Sequence, residues 1–435
     1  MDVSFVPKHL ETEKIEGGIK MTDKLYPWQE INGGISAPLG FYACGIQAGI
    51  KYQDKYDLAL ILSEIPASAA GMFTRNVVKA HPLVLTEKHL ADGKAQAVIV
   101  NSGNANACMG EIGENAALEM ARVTAAELAF APEDILVSST GVIGQELPLA
   151  KVIPGIRLAA KEVQALKGKV SESEKTEYAH QAALAIMTTD TVCKELAFEL
   201  QCAQGTIKLG IMAKGSGMIH PNMGTMLCFI TTDAQIAQDK LKELVKAATD
   251  ESFNMITVDG DTSTNDMVVI LANGLSGVAP EGQEWENFSA MVREACCTMA
   301  KAIARDGEGA SKFLEVKVAG AVSLEAARMI ARSVCSSNLV KSAMYGEDAN
   351  WGRILAAAGY SGASFDPNKA DIYLNGLQVA AHGQGLPFSE TEAAVLLKNT
   401  DIKVDIVLGD GNEQAVAWGC DLTHKYIDIN ADYRT

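Results

Sequence analysis

The chain has 435 residues, 48% of them apolar and 21% charged, an ordinary globular balance and enough length for two or three domains of about 150 residues. Its 37 Lys and Arg against 54 Asp and Glu give a formal net charge of −17, which argues against nucleic-acid or anionic-membrane partners, since either needs a basic face. A small anionic metabolite stays admissible, because one Lys in a pocket outweighs a distant acidic surface.

The nine cysteines form no C-x-x-C pair and none has zinc-ligand spacing, so reduced, mostly buried thiols are expected. The first twenty residues scatter charge without an apolar core, unlike a secretory signal. No apolar run approaches the ~18 residues of a membrane span. A cytoplasmic protein is the expectation.

In chain order, the first ~35 residues read as an extended, Gly-punctuated entry segment. Residues 95–100 (AQAVIV) read as a buried strand, 112–130 as a helix and 134–138 as a strand. Two amphipathic helices follow at 146–166 and 171–187. Residues 194–233 turn to β character in KELAFEL, TIKLGIMA and TMLCFITTD. Helices return at 238–253 and 285–305, with the strand MVVILAN between them. From 313 onward, FLEVKVAG, DIKVDIVLG, QAVAWG and LTHKYIDIN read as strands among two or three helices. The pattern predicts a layered α/β main domain over 1–312 and a smaller α/β domain over 313–435.

Five polar, Gly-rich segments interrupt these elements: NSGNANA at 101–107, SSTGVIG at 138–144, TTDT at 188–191, AKGSGMIHPNMGTML at 213–227 and VDGDTSTND at 258–266. Any one of them alone reads equally as a loop with turn and cap chemistry. Together they suggest a pocket built from loops, where Gly admits a ligand to the backbone and hydroxyls supply hydrogen bonds. Thr140 and Gly141 could offer a side-chain and a backbone donor to a developing oxyanion, or simply cap the following helix. Thr225 opens an apolar strand. If the bond before it is cut, its own α-amine, with a pKa near 8, could take the proton from its Oγ. Nothing matches a P-loop, a dinucleotide fingerprint, the calcium loop or a zincin helix. No metal and no bound cofactor are therefore expected, and His220 reads as a turn residue.

In this order, the segments resemble the ornithine acetyltransferase family, also called glutamate N-acetyltransferase or ArgJ. The resemblance spans residues 31–435. It is carried by NSGNANAC, STGVIG, AIMTTDT, AKGSGMIHPNMGTML, VDGDTSTND, GEGASK at 307–312, YGEDANWGRI at 345–354 and NADYRT at 430–435. It implies an αββα sandwich, of the kind shared with the DmpA-like self-processing aminopeptidases. It also implies self-cleavage between Gly224 and Thr225 into chains 1–224 and 225–435, which associate as an α₂β₂ heterotetramer. Thr225 is then the nucleophile, Thr140 and Gly141 form the oxyanion hole, and Thr188, Lys214, Thr225, Glu308, Asn430 and Thr435 contact substrate.

The implied reaction moves acetyl from N-acetylornithine to glutamate, with acetyl-CoA as a second donor in bifunctional members. Gly224 departs from the Ala usual in the family before the catalytic Thr. Three alternatives stand beside this reading: a hydrolytic aminopeptidase with the same type of nucleophile, a secondary-metabolism acyltransferase, and a non-catalytic metabolite-binding protein.

Overall fold

The computed structural model describes residues 14–15, 18–19, 26–168, 170–220 and 226–431. Two-residue strands β1 (Lys14–Ile15) and β2 (Gly18–Ile19) pair with each other. The large sheet comprises β3 (Trp28–Ile31), β4 (Phe41–Ile46), β5 (Leu58–Phe73), β6 (Lys94–Asn101), β7 (Ile135–Ser139), β8 (Lys194–Cys202), β9 (Gly205–Lys214), β10 (Leu227–Thr232) and β11 (Met267–Ala272). Its order is β3-β8-β9-β10-β11-β5-β6-β7, and β4 also pairs with β5. Only β10–β11 and β6–β7 run parallel.

Strand β5 serves two halves of this sheet. Residues 58–63 pair with β4 and residues 68–73 with β11, on either side of an irregularity between Leu62 and Ala67 where Pro66 interrupts the ladder. Side-chain alternation then sorts the core into layers. Leu227, Phe229, Met267, Val269 and Leu271 share an inner layer with Ala59, Ile61, Val98 and Val100, so the two halves face each other. Their alternate residues point outward. Leu58, Leu60, Ala97 and Ile99 pack with helices α2 (Gly110–Leu128) and α3 (Leu149–Ala165). Cys228, Ile230, Val268 and Ile270 pack with α5 (Gln238–Glu251) and α6 (Gln283–Arg305). The result is an α/β/β/α sandwich. Helix α1 (His81–His89) lies against β7 and α2. Helix α4 (Glu172–Ala185) covers β4 so closely that a Cβ on Gly45 would lie 2.1 Å from the Gln181 carbonyl oxygen.

A second, six-stranded sheet is built from β12 (Phe313–Ala321), β13 (Asp371–Leu374), β14 (Leu377–Ala381), β15 (Gln384–Gly385), β16 (Asp401–Val407) and β17 (Glu413–Cys420), in the order β15-β14-β13-β16-β12-β17. Its buried face shares one apolar cluster with α6. Helices α7 (Leu324–Ser336), α8 (Asn338–Tyr345), α9 (Trp351–Gly359), α10 (Glu390–Leu397) and α11 (His424–Ala431) accompany it, more than the two or three expected.

Helix α11 corrects the strand expected from LTHKYIDIN. Thr423 Oγ1 accepts from Tyr426 N–H at 3.4 Å, as a cap does. Leu422, Tyr426 and Ile429 are half-buried while Ile427 is exposed. That spacing is helical, and the apparent alternation of apolar residues was accidental. Among the described residues no helix is long and apolar enough to cross a membrane.

Candidate active site

The five polar segments converge at one end of the sandwich. Lys214 ends β9, opposite Leu227 at the start of β10, and Leu227 in turn faces Met267 at the start of β11. Asn265, just before β11, donates from Nδ2 to Ala105 O at 2.8 Å and to Ser139 O at 2.7 Å. One amide thus ties 258–266 to both 101–107 and the segment carrying Thr140. Thr140 N–H donates to Asn101 O at 3.0 Å. Gly141 follows at φ +135°, a conformation that favours glycine, and a Cβ there would lie 2.3 Å from the Gly103 carbonyl carbon. No group among the described residues accepts from the Gly141 N–H.

Lys214 brings the candidate residues together. Its Nζ donates to Thr188 Oγ1 at 2.8 Å and to Thr140 Oγ1 at 3.5 Å. Asp190 Oδ2 lies 3.8 Å from the same Nζ. Behind them, Lys194 Nζ bridges Asp190 Oδ1 at 2.9 Å and Asp306 Oδ2 at 2.6 Å, with all three side chains almost wholly buried. Asp190 also accepts from Gly215 N–H at 2.7 Å and Thr188 N–H at 3.0 Å. Burial alone would push the Asp190 carboxyl up. The Lys214 and Lys194 ammonium groups and the Gly215 amide instead hold it well below the usual carboxylate range. Burial moves the Lys214 ammonium down, and Asp190 only partly offsets this.

Glu308 is buried, and its N–H donates to Ser216 O at 2.9 Å. Its carboxylate occupies the space beside Gly217, where a Cβ would fall 2.2 Å from it. Asn430, on the exposed side of α11, reaches Glu308 Oε2 from Nδ2 at 2.8 Å. Asp259 accepts from Met218 N–H at 2.6 Å and Ile219 N–H at 2.9 Å, and from Tyr426 Oη at 3.2 Å. The same carboxylate therefore holds both the 213–219 loop and α11. His220, read as a turn residue, hydrogen-bonds Thr257 Oγ1 through Nδ1 at 3.1 Å. It is pushed down to about 4 by burial and the nearby Arg332.

The structure thus unites Thr140, Gly141, Thr188 and Lys214 in one cluster, and Glu308 with Asn430 in the adjoining one. Gly224, Thr225 and Thr435 lie outside the described residues. Sequence reasoning passed over Asp190, Lys194, Asp259, Asp266 and Asp306. Three of these stand inside segments already singled out, but their roles depend on partners far along the chain. Away from this end, the ligand atoms of His180, Cys193 and Glu195 lie within 4.8 Å of one another, a grouping that no sequence spacing announces.

The ArgJ family model matches residues 42–435. The chain is 51% identical over 408 residues to the arginine biosynthesis bifunctional protein ArgJ of Symbiobacterium thermophilum, covering 93% of this chain and 99% of that protein. It is 49% identical over 407 residues to the protein of the same name from Thermotoga neapolitana, covering 92% and 99%. The crystal structure of the arginine biosynthesis bifunctional protein argJ from Bacillus halodurans is 48% identical with a TM-score of 0.46, covering 47% of this chain and 97% of that one. On the match along residues 42–435, the chain belongs to the ArgJ family.

Proposed function

We propose that this protein is an arginine-biosynthesis acetyltransferase that moves the acetyl group of N-acetylornithine to glutamate. The chain first cuts itself: Thr225 Oγ attacks the Gly224 carbonyl carbon, the C–N bond breaks as the amine takes up a proton, and water hydrolyses the resulting ester. The freed α-amine of Thr225 then serves as base for its own Oγ. In the forward half-reaction Oγ attacks the acetyl carbonyl, the amide C–N bond breaks, and ornithine leaves with the proton. In the second, the α-amine of glutamate attacks the acetyl ester, the C–Oγ bond breaks, and the proton returns to Thr225.

The observation that carries this reading is the Lys214–Thr140–Thr188 cluster beside the unpartnered Gly141 N–H. A hydroxyl and an amide presented together suit a developing oxyanion. Lys214 suits a substrate carboxylate, and Glu308, anchored by Asn430, suits the ornithine ammonium. Thr435 completes the proposed substrate contacts. The relatives' shared name, bifunctional, supports acetyl-CoA as a second acetyl donor, entering as substrate and not as a resident cofactor. The proposed assembly is an α₂β₂ pair of processed protomers in the cytoplasm, with residues 1–312 and 313–435 as its domains.

Incubating the protein with N-acetylornithine and glutamate should yield N-acetylglutamate and ornithine in equal amounts. Release of free acetate in place of N-acetylglutamate would instead identify a hydrolase. Thr225→Ala should give one intact, inactive chain; normal turnover by that variant would remove Thr225 from the mechanism.

A further inference from the structure

Asp266 closes the loop before β11 and stands beside the start of β10. Its Oδ1 accepts from Met226 N–H at 2.8 Å, while the Met226 carbonyl accepts from Met267 N–H at 3.1 Å. The carboxyl therefore holds the first backbone amide after residue 225. Asp266 is only 1% exposed, yet its second oxygen, Oδ2, has no hydrogen-bond partner. Leaving a buried carboxyl oxygen unmade is costly, and such exceptions in a native core ask for a reason.

The neighbouring elements do not supply a structural one. From the end of β5, Thr74 donates its N–H to the Asp266 carbonyl at 3.1 Å, but its hydroxyl donates to Ser263 O at 2.9 Å. From β9, Lys214 acts on the carboxyl by charge, although its Nζ hydrogen bonds go to Thr188 and Thr140. Burial pushes the Asp266 carboxyl well above its ordinary range, against the pull of the Met226 amide, Thr74 and Lys214. A strand start that needed only an acceptor would be served by a backbone carbonyl or a neutral side chain at lower desolvation cost.

We propose that Asp266 is a positioning residue for the reaction at the 224–225 junction, its carboxyl acting through the Met226 amide to fix the chain that carries the nucleophile against Lys214 and Thr140. The proposal rests on Thr225 being that nucleophile. Asp266 works on the approach of the nucleophile and not on substrate affinity, so it affects cleavage and kcat together and leaves KM nearly untouched.

The test compares wild type, Asp266→Ala, Asp266→Asn and Thr225→Ala by intact mass and by steady-state acetyl transfer. Asn keeps an oxygen for the Met226 amide; Ala does not. Asp266→Ala is expected to slow processing and lower kcat at least tenfold, with KM within threefold of wild type. Asp266→Asn is expected to recover both to within about threefold.

Wild-type processing and kcat in Asp266→Ala would overturn the proposal, as would an Asn variant as impaired as the Ala one. A loss confined to KM would overturn it too. If Asp266→Ala does not fold, Asp266→Leu, which fills the volume without an acceptor, replaces it under the same thresholds. If neither folds, the carboxyl is a folding element and the proposal is wrong. Failure of the underlying reading looks different: wild type itself stays one intact chain, or Thr225→Ala still transfers acetyl.

Discussion

At the scale of single residues, Gly141 is held by its surroundings. Its φ of +135° and the 2.3 Å approach that a Cβ would make to Gly103 leave no room for a side chain. Gly141→Ala must therefore shift the one amide proposed for the oxyanion. Loss of such a donor costs about 10²–10³-fold in kcat, so that fall, with little change in KM, is expected in steady-state transfer assays. Wild-type kcat in this variant would exclude the amide from catalysis.

Asp190 makes a stability prediction. Its carboxyl is depressed in the folded state, so it contributes stability above its unfolded value of about 3.9, and that contribution is lost as pH falls through the lower folded value. Removing one member of a buried ion network costs about 3–5 kcal/mol. Asp190→Asn should therefore melt well below wild type at pH 7, and the gap should narrow below about pH 4. An equal gap at both pH values would contradict the assignment. Asp190 was within sight in the sequence, two residues from Thr188. What the sequence could not show is Lys194 and Asp306, which come to it from β8 and from beyond α6.

At the scale of elements, legibility followed how local the determining forces are. Helix α4 was readable because Ser171 and Glu174 form a capping box at its start. Strand β5 was not, because residues 58–62 are all fully buried and so show no alternation, and Pro66 argues against a strand. Helix α11 was misread because only Thr423, tied to Gly309 O at 2.7 Å, reveals where it begins.

That helix carries the next prediction. Tyr426 and Asn430 fasten it to Asp259 and Glu308, both of which border the site. Deleting residues 430–435 removes the Asn430 contact and the proposed Thr435 one, while His424 to Ile429 remain. Acetyl transfer should be abolished with an unchanged circular dichroism spectrum. Full turnover by the truncated protein would show that the tail is no part of the pocket.

At the scale of the whole molecule, layered α/β character was visible in the succession of strands and helices, but the strand order was not. Parallel pairing of β10 with β11 joins strands separated by α5, and no local pattern encodes that choice. The order matters because of where the proposed cut falls. Strand β10 lies between β9, which belongs to residues 1–224, and β11, which belongs to residues 225–435. Six residue pairs join β10 to β9, from Leu227↔Lys214 to Thr232↔Leu209. The inner apolar layer likewise draws Ile35, Phe41 and Met212 from the first segment and Leu227, Phe229 and Val269 from the second. Cutting one peptide bond at the sheet's end exposes none of this surface, so the fragments should stay associated. Denaturing mass spectrometry is expected to resolve two chains, while native size exclusion gives a single peak containing both. Urea should release them only across the same transition in which the circular dichroism signal is lost. Separation of the two chains in native buffer would contradict the central place of β10 in the sheet.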